Sequence, residues 1–250
     1  MSMCGKHQHD PFCNAPARRD FLRITGLATA LGILGGNVLP GHARADALTR
    51  AKRDQMTPDQ IIAAAKRGNE RFRSGVRKNR NYLNEQQASA SGQYPAAVLL
   101  SCIDSRAPAE VIMDLGLGDI FNCRVAGNVE NPDMLGSMEF ACKLAGAKVV
   151  LVMGHTACGA IKGAIDNVEL GNLTGLLDKI KPAVQATSFS GERSSKNYAY
   201  VDAVARTNVQ MTVDNIRKNS TVLADLEKQG TIKIVGAMYN LQTAALDFLS

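Results

Sequence analysis

The stretch KVVLVMGHTACG, residues 148–159, decides the fold. Its first half is a continuous apolar run, which is typical of a strand buried on both faces of a sheet. Its second half turns through small residues into a helical pattern, and His155 and Cys158 stand in that turn. The stretch therefore predicts a central parallel strand that is followed directly by two side chains able to bind a metal ion.

Other segments of the chain repeat this strand pattern. Residues 96–100 and 232–235 are apolar runs of the same character, and residues 120–125 predict a fourth strand. The segments between and after the strands have helical periodicity, at residues 108–115, 134–145, 157–165, 173–185, 201–217 and 241–249. Strands that alternate with helices predict an α/β fold with a mostly parallel β-sheet flanked by helices.

A helical arm precedes the first strand. Thr57-Pro58-Asp59-Gln60 has the form of a capping box with proline at the first helical position. Apolar residues then recur on one helical face until Gly75, where we expect the helix to end. A polar stretch over residues 77–93 connects this arm to the sheet.

Composition limits the classes of function. The chain has 250 residues, of which 45% are hydrophobic and 21% charged, which is an ordinary balance for a globular domain. The formal net charge is +6, but residues 1–45 contribute half of it. No basic stripe with interleaved aromatic residues is present, so we expect no binding to nucleic acid.

Residues 1–45 have the pattern of a leader. Arg18-Arg19 precedes a weakly apolar run over residues 24–39, and Ala43-Arg44-Ala45 has the small-x-small pattern of a cleavage site. The run is too short and too rich in glycine for a stable membrane span. A buried N-terminal helix is the alternative, but four glycines within the run disfavour it.

The paired arginines resemble a twin-arginine export signal. We therefore expect the twin-arginine translocase to act on residues 1–45, cleavage near Ala45, and a periplasmic or otherwise exported domain over residues 46–250. Two cysteines and two histidines near the N-terminus are of metal-binding type, and a metal site there is the alternative. No structured context surrounds them, so we interpret them as part of this leader; they are Cys4, His7, His9 and Cys13.

Candidate metal ligands follow two of the predicted strands. Cys102 comes directly after the strand at residues 96–100, and His155 and Cys158 follow the strand at 148–153. The carboxyl ends of neighbouring parallel strands lie at one edge of a sheet, so these side chains can converge. Two thiolates and one imidazole are the ligand set of a catalytic zinc with an open fourth position. Disulfides, or buried cysteines acting as small apolar residues, are the alternatives.

Two short motifs at these positions resemble those of the β-carbonic anhydrases. The motifs are Cys-x-Asp-x-Arg at residues 102–106 and His-x-x-Cys at residues 155–158. Residues 68–72 are similar to the N-terminal helix of that family, and residues 124–128 to a further segment of it, in which Val125 replaces the usual asparagine. The resemblance covers about residues 57–249.

The resemblance implies reversible hydration of carbon dioxide to bicarbonate and a proton, with one zinc ion per chain that activates a bound water. It implies that Arg106 orients Asp104, which contacts the reacting oxygen and in some members ligates zinc itself. It also implies a homodimer or higher homo-oligomer, because the family completes its substrate pocket with a neighbouring subunit. The substrate-binding residues implied by position are Gln93, Phe121, Ala126 and Phe140.

Three other functions are compatible with the same residues. A hydrolase of carbonyl sulfide or carbon disulfide would use the same zinc site with a different pocket. A non-catalytic zinc- or bicarbonate-binding protein would not need the intact pair of Asp104 and Arg106. A thiol redox protein would use Cys102 and Cys158 without a metal.

Overall fold

Five strands form one sheet in the computed structural model, which describes residues 47–249. Their order across the sheet is β2-β1-β3-β4-β5, and β5 is the one antiparallel member. The strands are β1 (Ala97–Ser101), β2 (Ile120–Arg124), β3 (Val149–His155), β4 (Lys233–Tyr239) and β5 (Leu246–Phe248). The four predicted strands are confirmed, and β1 and β3 are buried along their whole length.

Helices cover both faces of this sheet, which confirms the predicted α/β class. On one face α9 packs against β3 and β4, and on the other α2 and α4 enclose a second apolar cluster with the sheet. The helices are α1 (Arg50–Gln55), α2 (Pro58–Arg73), α3 (Tyr82–Ser89), α4 (Ala109–Ile112), α5 (Pro132–Glu139), α6 (Gly159–Ile165), α7 (Gly171–Asp178), α8 (Lys181–Ala186), α9 (Tyr198–Asn219) and α10 (Thr221–Lys228).

The predicted capping box begins α2. The Thr57 hydroxyl accepts a hydrogen bond from the Gln60 backbone N–H, and the Gln60 side chain accepts one from the Thr57 N–H. Gly75, with φ of +72°, follows the end of the helix in a conformation that favours glycine. Helix α2 and the short α1 form the predicted N-terminal helical arm.

A buried asparagine fastens α2 to the chain's own sheet. The side-chain amide of Asn69 donates to the carbonyl oxygens of Ile112 and Ala244, at 3.0 and 2.9 Å. Its side-chain oxygen accepts from the backbone N–H of Leu246, at 3.0 Å. All of its bonds reach backbone groups distant in sequence, so the arm and the last strand of the sheet are joined through one side chain.

The predicted C-terminal helix over residues 241–249 is wrong. The Asn240 side chain accepts hydrogen bonds from the backbone N–H groups of Gln242 and Thr243, and this turn directs the chain back along β4 as β5. Ala244 adopts φ of +56° in this turn, a conformation that glycine adopts without steric cost. A strand of three residues is too short to produce a period of two, so the apolar spacing alone mimicked a helix.

Other helices differ from prediction in their boundaries. The predicted helix at residues 173–185 is divided into α7 and α8, because Pro182 lies in the first turn of α8 and cannot continue an earlier helix. The segment predicted at 134–145 is α5 followed by one π-helical turn, Phe140–Leu144. Helices α1, α3 and α10 were not predicted.

The predicted leader lies outside the described residues, as do Cys4, His7, His9 and Cys13. The boundary between residues 45 and 46 therefore stays a prediction. Over residues 47–249, no helix combines the length and the apolar character needed to cross a membrane.

Candidate metal centre

The ends of β1 and β3 bring the three predicted ligands together. The two strands are adjacent and parallel, with Ser101 paired to Met153, so Cys102 and His155 leave the sheet at the same edge. Cys158 follows three residues later, as the N-cap residue that precedes α6. The candidate ligand atoms of Cys102, His155 and Cys158 all lie within 4.8 Å of one another, and all three residues are buried.

The orientation of the His155 ring leaves one nitrogen for a metal ion. Nδ1 lies 2.9 Å from the carbonyl oxygen of Thr156, which can only accept a hydrogen bond, so Nδ1 carries the proton. Nε2 is buried and has no hydrogen-bond partner within residues 47–249. A buried nitrogen lone pair that faces two thiols is the arrangement expected of a metal ligand.

The two thiols are arranged to share a cation. Their sulfur atoms are 4.0 Å apart, and among the described cysteines both are free thiols. The hydrogen bond from Cys158 lowers the pKa of Cys102 to about 4. The same hydrogen bond and burial raise the pKa of Cys158, because a second thiolate would face the first. A divalent cation between them removes that repulsion, so the residues fit zinc.

The segment after β2 supports the first thiolate. The backbone N–H of Gly127 donates to Cys102 Sγ at 3.4 Å. Gly127 has φ of +70°, and a Cβ there would lie 2.5 Å from the Ile180 side chain, so glycine is required. Asn208 of α9 donates to the Gly127 carbonyl at 2.8 Å and fixes this turn.

Asp104 and Arg106 form the predicted pair beside the ligands. Arg106 donates to both carboxylate oxygens of Asp104 from its guanidinium, at 3.0 and 2.8 Å, and also from its backbone N–H. These hydrogen bonds lower the pKa of Asp104 to about 2, so the carboxylate is ionised at neutral pH. Its Oδ2, which accepts one of these hydrogen bonds, lies 3.8 Å from His155 Nε2. The expectation that Asp104 can itself ligate zinc stays a prediction.

Two further residues shape this site and were not predicted as site residues. Arg124, the last residue of β2, donates to the carbonyl oxygens of Cys102 and Asp104, at 2.9 and 2.6 Å. Asp202 of α9 accepts from the backbone N–H of Ala157, between the ligands His155 and Cys158, at 2.8 Å. All three bonds reach backbone groups, so residue type and spacing do not indicate their partners. The one signal was the family resemblance of residues 124–128, which includes Arg124.

Of the four predicted substrate-binding residues, Ala126 alone adjoins the ligands of its own chain, next to Gly127. Phe121 pairs with Val98, four residues before Cys102, so about 13 Å of strand separates it from the metal ligands. Phe140 packs edge-to-face on Phe121 with ring centroids 6.2 Å apart. Gln93 is exposed before the opposite end of β1. Their substrate roles stay predictions.

The two remaining cysteines within the described residues behave as small apolar residues. Cys123 and Cys142 are buried free thiols in the larger apolar cluster. Burial raises the pKa of both thiols, that of Cys142 to about 12, so neither forms a thiolate readily.

Comparison with protein families agrees with this geometry. A family model described as carbonic anhydrase matches residues 97–246, which include all the proposed ligands. Carbonic anhydrase 2 of Mycobacterium tuberculosis is 34% identical over 184 residues, which are 71% of this chain and 86% of that protein. The carbonic anhydrase of Mycolicibacterium smegmatis is 33% identical over 189 residues, covering 75% and 91% of the two chains.

Solved structures agree as well. The β-carbonic anhydrase CafA of Aspergillus fumigatus superposes with a TM-score of 0.58 at 27% identity, over 76% of this chain and 90% of that one. A structure from a study of two tetrameric β-carbonic anhydrases of Sordaria macrospora has a TM-score of 0.59 over 77% and 98% of the chains; at 20% identity it supports the fold alone. From the matched sequence, the fold and the ligand set together, the chain belongs to the β-carbonic anhydrase family.

Proposed function

We propose that this protein is a zinc enzyme that catalyses the reversible hydration of carbon dioxide to bicarbonate and a proton. The observation that carries the proposal is the buried set of Cys102, His155 and Cys158, with the ionised Asp104 held 3.8 Å from His155 by Arg106. A purely structural metal site needs no such oriented carboxylate. The mycobacterial relatives named above are carbonic anhydrases.

Three protein ligands leave a fourth position for water, as in catalytic rather than structural zinc sites. Zinc held there supplies Lewis-acid activation of water, which gives a nucleophile near neutral pH. The chain's own contribution is to present two thiolates and one imidazole lone pair from two fixed strand ends.

Asp104 acts on the reacting oxygen. As an ionised carboxylate it can only accept hydrogen bonds, so it binds the proton that remains on the attacking hydroxyl. This contact turns an oxygen lone pair towards carbon dioxide. As the new C–O bond forms, the electron pair of one C=O π bond moves to its oxygen, and a hydrogen carbonate ion results. The side chain of Asp104 is 14% exposed and that of Arg106 58% exposed, which places the pair at the mouth of the site.

The proposal is tested by measuring metal content and carbon dioxide hydration on the same purified protein. We expect close to one zinc per chain and rapid hydration in a stopped-flow assay that follows proton release. Carbonyl sulfide and carbon disulfide are tested in parallel. Full zinc occupancy without hydration, or faster turnover of either sulfur compound, would reject the proposed reaction.

We also propose that the enzyme is at least a homodimer that assembles through the β2 edge of the sheet. Strand β2 has a neighbour on one side only within the described sheet, and an unpaired strand edge readily accepts a second chain. Beside it, Phe140 is 52% exposed and Leu144 is 76% exposed. Because Gln93, Phe121 and Phe140 lie away from their own ligands, they can complete a pocket only in another subunit.

Leu144→Glu is expected to weaken this assembly at least about tenfold, since it places a charge within the proposed apolar contact. Light scattering over a range of protein concentrations measures the effect. Leu170→Glu is the matched control, because Leu170 is similarly exposed at the start of α7. A wild-type protein that is monomeric and active at assay concentrations would contradict the proposal.

We propose, finally, that residues 1–45 direct export of the protein through the twin-arginine translocase, with cleavage near Ala45 and a periplasmic mature enzyme. The support is the sequence alone: paired arginines, a weakly apolar run and a small-x-small site. This route carries folded proteins, which suits an enzyme that acquires its metal before export.

The double substitution Arg18→Lys and Arg19→Lys is expected to keep most of the precursor in the cytoplasm. Lysine retains the positive charge but lacks the planar guanidinium, so a receptor that reads arginine geometry no longer binds. Cell fractionation and immunoblotting measure the two pools. Arg23→Lys in the same leader serves as control, and normal periplasmic accumulation of the double variant would exclude this route.

A further inference from the structure

One peptide group connects a ligand histidine to a helix on the other side of the ligand turn. The group between Thr156 and Ala157 accepts a hydrogen bond at its carbonyl oxygen from His155 Nδ1, at 2.9 Å. At its other end, the Ala157 N–H donates to Asp202 Oδ1, at 2.8 Å. Because the peptide group is planar and rigid, the carboxylate that holds the N–H also fixes the direction of the C=O.

This turn needs an external restraint. Ala157 has φ of +54°, in the left-handed region that residues with a Cβ rarely occupy. Such a conformation persists where surrounding contacts over-determine it. The neighbouring Thr156 contributes a hydroxyl that accepts from the Leu241 N–H and a backbone N–H that donates to Tyr239. Asp202 supplies the bond at the strained residue itself.

Helix α9 is suited to provide this restraint. It packs along β3, whose end carries His155, and Val201 and Val204 on its buried face are fully enclosed. The same helix supplies Asn208, which holds the Gly127 turn beside Cys102. Helix α9 therefore restrains the backbone next to Cys102, which follows β1, and next to His155, which ends β3.

The effect of this chain of hydrogen bonds follows from the groups at its two ends, His155 Nδ1 and the Asp202 carboxylate. Metal-binding histidines commonly donate their second N–H to a carboxylate or a carbonyl, which sets the tautomer and raises the basicity of the ligating nitrogen. Here the acceptor is a carbonyl whose own peptide N–H is bound to a carboxylate. Hydrogen bonds in such a chain polarise one another, so the negative charge strengthens the acceptor that His155 uses.

We propose that Asp202 is a positioning residue for the metal centre, which acts through the Thr156–Ala157 peptide group to keep His155 Nδ1 protonated and Nε2 directed at the ion. The inference rests on the proposed zinc enzyme and adds to it a residue 47 positions beyond the ligand histidine.

The test compares full-length Asp202→Ala and Asp202→Asn with wild type. Zinc affinity is measured by competition with a chromophoric chelator, and the His155 imidazole is observed by nitrogen-15 NMR of the zinc-loaded protein. Loss of an outer-shell partner of a metal ligand lowers affinity about 10–100-fold, and we expect this for Asp202→Ala. Asp202→Asn keeps an acceptor oxygen but not the charge, so we expect a smaller loss and a shifted His155 Nδ1 signal.

Asp214→Asn on the same helix is the matched control, because Asp214 is exposed and lies far along α9 from the ligand turn. Wild-type zinc affinity together with an unchanged Nδ1 signal in the Asp202 variants would overturn the proposal, even if their melting temperatures fall. If Asp202→Ala does not fold, the signal in Asp202→Asn decides. Failure of the proposed function is distinguishable from failure of this inference, because the wild-type protein itself would then bind no zinc or show no hydration of carbon dioxide.

Discussion

Cys158→Ser is expected to remove most of the zinc and nearly all carbon dioxide hydration. A serine hydroxyl is not deprotonated near neutral pH and offers a hard oxygen in place of the soft thiolate of the proposed zinc site. Because loss of an outer-shell partner already lowers metal affinity 10–100-fold, loss of a direct ligand should exceed about 100-fold. Zinc analysis after dialysis against a chelator measures the zinc retained, and a stopped-flow assay of the same sample measures the hydration rate.

Cys142→Ala is the matched control for this substitution. It also removes a buried thiol, but one that does not belong to the group of Cys102, His155 and Cys158, so we expect full zinc occupancy and unchanged hydration. Complete retention of zinc in both Cys102→Ser and Cys158→Ser would reject the assigned ligand set.

Arg106→Ala is expected to retain the zinc and to lower hydration about 10–100-fold, the range seen when the partner of a metal-site group is removed. Without the guanidinium, Asp104 loses the two side-chain hydrogen bonds that orient it and is free to turn towards the metal. Zinc analysis and the hydration rate, measured on the same sample, separate this outcome from loss of the metal.

Arg106→Lys tests the geometry of this pair. Lysine supplies charge but cannot donate to both carboxylate oxygens in a planar fork, so we expect an intermediate rate. Arg73→Ala, at an exposed arginine near the end of α2, should leave hydration unchanged. Hydration unaffected by Arg106→Ala would show that the role carried over from the family resemblance is wrong.

The parts of this protein that were predictable from its sequence are those governed by burial. Continuous apolar runs identified β1 and β3 most clearly, because a strand enclosed on both faces has no polar alternation. The ligands were predictable for a related reason, since Cys102 and His155 stand where two such runs stop. The convergence of their side chains then follows from parallel pairing alone.

Short elements and turns were not predictable in the same way. Strand β5 has three residues, and its direction is set by the Asn240 turn and by pairing with β4 rather than by its own pattern. Helix α3 is polar on most of its surface, and its buried Glu85 is paired with Arg80, so no apolar face marks it in the sequence.

The supports of the metal site were unpredictable for a third reason. Arg124 and Asp202 both act on backbone groups, and a backbone acceptor or donor exists at every residue. Their partners are therefore defined only once the strands have been placed. The contact between Asp104 and Arg106 was predictable, because both of its partners lie in one short motif of the sequence.

The three hydrogen bonds of Asn69 have a consequence for the order of folding. They span up to 177 residues, so α2, which is made early in synthesis, cannot complete its contacts until Leu246 is available. Contacts of such long range slow folding, because a large loop must close before they form. Until then, the side-chain oxygen of Asn69 lacks its partner on Leu246, although its amide can already bond the Ile112 carbonyl. We therefore expect chains truncated before β5 to hold α2 less firmly against the sheet than the full chain does.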